Sequence, residues 1–372
     1  MKKVLICIAL ILGFVAFVPM PTYAYETELP TPESYVQELT DALPEEVKSQ
    51  LPIGSTYEEM AQNTNSSFLL SLSISFLKES LYSVYTHLAF FLAALLLGSL
   101  ADRIENTFGK NENHLASYIA LLLIAYEGFT IIYSLFEEVN EYCRKISAYM
   151  ITFTGVMGSV YVLGGGAVLA SQPAISLSVA VSILGNLCSA LLLPIIRISF
   201  ASSFSSIASE KINLSSLSSF IRGVFSFLIG LVATISIVAI TFQTMLSQAE
   251  DTLAARSIRF AASSSIPIVG NAVGDSVRTL GAAVTVIQKS VGSIGMVGLL
   301  ILTLYPLSIL FSARISLALS KTAAALLDVK SAERILGEMS HLVNMLMATV
   351  SIQSVLYIFV TALFTASAVP IS

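Results

Sequence analysis

Residues 146–196 read ISAYM ITFTGVMGSV YVLGGGAVLA SQPAISLSVA VSILGNLCSA LLLPII, a run of 51 positions without one Asp, Glu, Lys or Arg. A helix that crosses a membrane needs about 20 apolar residues. The run therefore holds either two crossings, or one crossing and a re-entrant hairpin. Its break is at Gly164, Gly165 and Gly166, followed by Gln172 and Pro173. Irregular backbone at membrane depth is tolerated only inside protein or along a water-filled cavity.

The rest of the chain repeats the pattern. Charge-free windows cover residues 80–101, 223–249, 290–313 and 339–372, and Leu115–Phe136 is interrupted only by Glu127. Each is long enough to cross. Hydrophobic residues make up 55% of the 372 and charged residues 12%. Mean hydropathy is +0.82. A soluble domain carries about a quarter charged residues, so the expected fold is all-α: a polytopic transmembrane helical bundle with re-entrant hairpins, preceded by a signal peptide. The hairpin model gives six crossings, the alternative seven. With six, nine of the Lys and Arg lie on the cytoplasmic side, against six with seven, and the positive-inside rule favours the first. The carboxyl terminus is then exported.

The amino terminus has Lys2 and Lys3, an apolar run from Val4 to Val18, then Pro19, Pro21 and a small residue at Ala24. This order fits a signal peptide over residues 1–24, cleaved after Ala24. Residues 25–78 form an exported acidic segment, and 79–372 the multi-pass domain. Residues 26–65 hold nine acids against one base, Lys48. Short helices are expected over Ser34–Leu43 and Glu45–Leu51. The segment is too small for its own core and is expected to lie over the membrane face or dock on a partner.

A second broken segment spans 266–288. Pro267 and Gly270 interrupt an apolar start, and Asp275 and Arg278 follow at a spacing that pairs them on a helix. We read it as another re-entrant or interfacial hairpin, a pattern that points to transport sites. Residues 315–330 are either an amphipathic interfacial helix or an extension of the preceding span. Gly270 and Gly274, and the series Gly292, Gly295 and Gly298, allow helices to approach closely. Residues 202–219, rich in serine, form a loop or a helix pair.

Glu127 is the one acid well inside an expected span, where an unpaired charge costs about 2.5–3.5 kcal/mol or more. It is either a proton or substrate contact or a residue nearer the interface. No P-loop and no nucleophile elbow occur; Gly164–Ser171 lacks the lysine of the former. His87, His114 and His341 are far apart and have no metal-ligand spacing with acids or cysteines. Cys143 and Cys188 suggest no disulfide framework. There is no basic run for a nucleic-acid partner. The expectation is a protein that is not an enzyme and holds no cofactor, with the lipid bilayer as its solvent.

The run Ile266-Pro267-Ile268-Val269-Gly270, then Asp275 to Thr279 and Lys289, resembles the signature of the stage III sporulation protein AE family. Gly164–Gly166 followed by Pro173 is similar to that family's earlier motif. The resemblance covers nearly the full chain. It implies a membrane subunit of a secretion-like channel in the mother-cell membrane facing the forespore. The implied partners are the other membrane and ring-forming proteins of the complex, including an ATPase. It also implies a need for the chain in late forespore gene expression.

Overall fold

A computed structural model describes residues 32–49, 66–108, 115–163, 181–208, 217–238 and 270–366. The chain divides into Met1–Thr31 and Pro32–Ser372, and all described residues belong to the second unit. The expected signal, the break at Gly164–Pro173 and Pro267 lie outside the described residues.

Every regular element among the described residues is helical. Two short helices, α1 (Pro32–Asp41) and α2 (Glu45–Lys48), precede α3 (Ser66–Phe108) and α4 (Leu115–Leu163). Next come α5 over residues 181–208, with a π-helical turn at Cys188–Leu192, and α6 (Leu217–Val238). The last two are α7 (Gly270–Leu326) and α8 (Lys330–Ala366). Six of these, α3 to α8, are long and apolar enough to cross a membrane. Six such helices thus lie among the described residues, against six expected crossings, and the division of the chain differs in two places.

First, Leu115–Phe136 and the start of the 51-residue run form one helix, α4, instead of two crossings. The charged stretch between them does not break it. Glu141 pairs with Arg144 at 2.6 Å and with Lys145 at 3.7 Å. Pairs at i,i+3 and i,i+4 spacing support a helix from its surface. Second, α7 runs without a turn from Gly270 to Leu326. The reversal expected over 266–288 is therefore absent from Gly270 onward, and residues 315–326 extend the preceding span. The polar Asp275 and Arg278 do not stop a helix, because neither residue is a breaker and alanines and valines follow. Likewise α3 starts at Ser66, so residues 66–78, expected to belong to the acidic segment, are its first turns.

The chain reverses between α7 and α8 in three residues. Val329 N–H bonds Ala324 O at 3.0 Å, and Asp328 takes φ 59°. This is a Schellman ending with Asp in the left-handed position that glycine usually holds. The two helices pack closely as a hairpin, with α3 and α4 against them. Phe91, Ile132, Tyr149, Met150 and Phe153 are among the largest fully buried side chains of the core.

The glycines act as seats. A Cβ at Gly298 would lie 2.5 Å from Tyr149 Oη, and one at Gly295 would collide with the Phe153 ring. Gly292 faces Thr365 of α8. The close approach expected of Gly292, Gly295 and Gly298 is thus what α4 and α8 use.

The acidic segment docks on its own bundle. Tyr35, Leu39, Leu43 and Val47 recur every four residues along α1 and α2, and all four are buried. They pack against α4 and α7, and Leu43 reaches the surface of Gly298. Glu38, Asp41 and Glu45 face outward. Burying one leucine in this way contributes about 1.5–3 kcal/mol.

Candidate functional site

Polar groups of the bundle lie in two hydroxyl layers and two acid–base pairs, each joining two or more helices. In the first layer Tyr142 Oη of α4 meets Ser354 Oγ of α8 at 2.5 Å and Thr303 Oγ1 of α7 at 3.5 Å. Ser354 donates to Val350 O at 2.7 Å and Thr303 to Leu299 O at 2.9 Å. Their hydrogens are committed to their own helices, so the tyrosine O–H donates to Ser354. The second layer is a directed chain. Gln353 Nε2 donates to Ser147 Oγ at 3.2 Å, and Tyr357 Oη donates to Val181 O at 3.2 Å. Ser147 then donates to Tyr357 Oη at 3.1 Å. This chain joins α4, α5 and α8. Buried hydrogen-bonding groups without partners are costly, so these layers fix the helices in register.

The first pair answers the question posed by Glu127. Its Oε1 is 2.7 Å from His87 Nδ1 across the α3–α4 contact. Glu127 lies nine residues, about 14 Å, from Phe136 and twelve, about 18 Å, from Leu115. The pair is thus deep in that apolar stretch, and the imidazole supplies the partner that such a carboxylate needs. Next to it, Gly128 lets Met339 of α8 lie directly against α4.

The second pair was not foreseen. Glu338 of α8 accepts from Arg222 Nη1 of α6 at 2.9 and 3.2 Å. Ser218 Oγ, also of α6, donates to it at 2.7 Å and Ser203 Oγ of α5 at 3.2 Å. Four donated bonds from two helices thus converge on one carboxylate. Nearby, the Arg197 guanidinium sits 4.5 Å above the Phe136 ring, a cation–π contact.

The remaining sequence candidates fare differently. The backbones of Gly270, Gly274, Asp275 and Arg278 lie on the first turns of α7, and their side chains are outside the described residues. Gly164, Gly165, Gly166, Pro173 and Pro267 are outside them entirely. Sequence reasoning missed His87, Arg222 and Glu338. His87 is 40 residues from its partner, and Arg222 and Glu338 fall at window edges, where charges are ordinary. The available signal was that His87 is the one Asp, Glu, Lys, Arg or His within residues 80–101. Among the described residues no three His, Cys, Asp or Glu side chains gather as a metal set. Cys143 and Cys188 are buried and free.

With this arrangement in view, the comparison with known families is decisive. The chain belongs to the stage III sporulation protein AE family. The family match covers residues 54–368, which takes in α3 to α8 and both acid–base pairs, and begins after α1 and α2. No curated protein and no solved structure matches the chain.

Proposed function

We propose that this chain is a membrane subunit of a secretion-like channel complex that links mother cell and forespore and supports late forespore gene expression. Membership of the stage III sporulation protein AE family over most of the chain carries this reading. The six apolar helices support a multi-pass subunit. The partners are other membrane and ring-forming proteins of the complex and an ATPase, which supplies the energy that a chain without a phosphate-binding loop needs from outside. Its location is the mother-cell membrane facing the forespore. Pull-down of the tagged chain from sporulating cells, with mass spectrometry, tests this. Recovery of an ATPase and ring-forming sporulation proteins is expected. A stable unit without partners overturns the reading.

One observation favours a second reading. The Glu127–His87 pair lies within a span, where a secondary transporter carries its coupling carboxylate. In that case Glu127→Gln abolishes uptake by reconstituted vesicles and leaves assembly intact. Unchanged uptake removes this reading.

A further inference from the structure

The seam between α4 and α5 can be followed contact by contact. The Phe129 ring meets the Phe200 ring at 5.1 Å, and Phe136 carries the Arg197 guanidinium. Farther along α4, Ser147 lies against Gly185, where an added Cβ would sit 3.2 Å from Ser147 Cβ. Ascending numbers on α4 meet descending numbers on α5, so the two helices are antiparallel. Phe129, Phe136 and Cys143 recur at seven-residue spacing on α4, about two turns, and share the face that meets α5. Interpolation between the contacts of Phe136 and Ser147 sets Cys143 opposite a position at about 189 on α5.

Cys188 stands at that level. It comes three residues after Gly185, and Cys143 comes four before Ser147. Both spacings keep a residue on one helix face, so the two thiols lie one turn beyond the Ser147–Gly185 contact in the same direction. Cys143 is 3% exposed and Cys188 0%. Cys143 is within electrostatic reach of Cys188, and both are free thiols. The seam is as narrow as a disulfide requires. A Cβ separation of 3.2 Å at Ser147 and Gly185, with two Cα–Cβ bonds, keeps their Cα atoms within about 6.2 Å. Disulfides span Cα separations of about 4.4–6.8 Å. A π-helical turn begins at Cys188, a local widening frequent at functional sites.

We propose that Cys143 and Cys188 are a redox modification site, a facing thiol pair that closes as a disulfide between α4 and α5. Both S–H bonds break and one S–S bond forms. The two protons and two electrons pass to a small quinone, which leaves as the hydroquinone. Burial slows thiol chemistry, so the oxidant has to be small. The bond closes a ring from Cys143 to Cys188 and ties together the two helices that flank Gly164, Gly165, Gly166 and Pro173. Those helices then cannot part without reduction.

The test uses the full-length chain with Cys7→Ser, which leaves Cys143 and Cys188 as its cysteines. Native membranes are treated with diamide, a small diazene that takes up the same two protons and two electrons. The chain is then unfolded in detergent and its free thiols are counted with a maleimide-linked polyethylene glycol. Two tags before oxidation, none after it and both again after dithiothreitol are expected, at the mass of a single chain. A peptide pair joined at 143 and 188, found by mass spectrometry, identifies the bond. A chain that lacks both tags before oxidation and regains them with dithiothreitol supports the pair as well. Two tags retained after oxidation overturn the proposal. A covalent dimer overturns it too, because the thiols then meet between copies. Cys143→Ser and Cys188→Ser should each keep the remaining tag through the same treatment, and its loss would mean that the thiols react singly and not as a pair. Thiol counting does not depend on which proteins the chain recruits, so this result and that of the pull-down are separate.

Discussion

The seat at Gly295 makes a quantitative prediction. The Phe153 ring is fully buried, and its Cε2 and Cδ2 atoms occupy the space where a side chain at 295 would begin. A ring cannot yield as the end of a methionine can, and Tyr149, which donates to Gly295 O at 3.2 Å, holds the same stretch of backbone. Gly295→Ala must push α4 and α7 apart or force Phe153 off its rotamer. Overpacking of this kind costs about 1–3 kcal/mol, offset in part by the better helix propensity of alanine, roughly 1 kcal/mol. A net loss of up to about 2 kcal/mol is expected. Equilibrium unfolding in detergent, followed by helical circular dichroism, measures it. Phe153→Leu makes room, so the double variant should recover a coupling energy of about 1 kcal/mol or more. Costs of Gly295→Ala and Phe153→Leu that simply add would refute the seat.

Other expectations follow from the same packing. Glu338→Ala strands Arg222 among the serines of α5 and α6. Its cost belongs at the lower end of the ~3–5 kcal/mol for breaking a buried pair, because Arg222 keeps 28% of its side-chain surface. The additional change Arg222→Leu should restore part of it, and full additivity in unfolding measurements would deny the pair. Leu39→Ala removes a wholly buried side chain from α1 and should cost about 2–5 kcal/mol of its docking. Proteolysis within residues 32–48 should then quicken while α3 to α8 stay protected; an unchanged cutting rate argues against docking. Tyr142→Phe loses the bond to Ser354, and a stability loss of about 1 kcal/mol is expected. No change in unfolding would mean that the hydroxyl does not hold the layer.

Apolar windows made the helical class and the presence of membrane-length helices legible, since the length of each window is set by the bilayer itself. Glycine spacing at 292, 295 and 298 was legible too, because close approach leaves a mark in the sequence. The small helices were expected over Ser34–Leu43 and Glu45–Leu51 and are found over Pro32–Asp41 and Glu45–Lys48, but their docking site was not visible, because α4 and α7 are more than a hundred residues apart. The continuity of α4 was misjudged. Charges normally end a span, yet those at 137–145 lie along one exposed face and leave Tyr142, Cys143 and Ile146 to the core. The expected turn after Gly270 failed for a related reason: glycines weaken a helix by about 1 kcal/mol each, which the long apolar continuation of α7 outweighs. The pairs Glu127–His87 and Glu338–Arg222 were hidden because partners on different helices carry no common spacing.

Pro306 lies inside α7 and leaves the carbonyl of Leu302 without its usual donor. Sharp helix bends occur mainly at such prolines. It divides the helix into 36 residues on the Gly270 side and 20 on the Leu326 side, lengths of about 54 and 30 Å. The shorter piece is clamped to α8 by the tight reversal at Asp328. The longer piece is then the long limb of a lever with its fulcrum at the proline. A bend of about 10° there would carry the Gly270 end about 9 Å sideways, so a small adjustment among buried residues becomes a displacement of nearly one helix diameter at the other end.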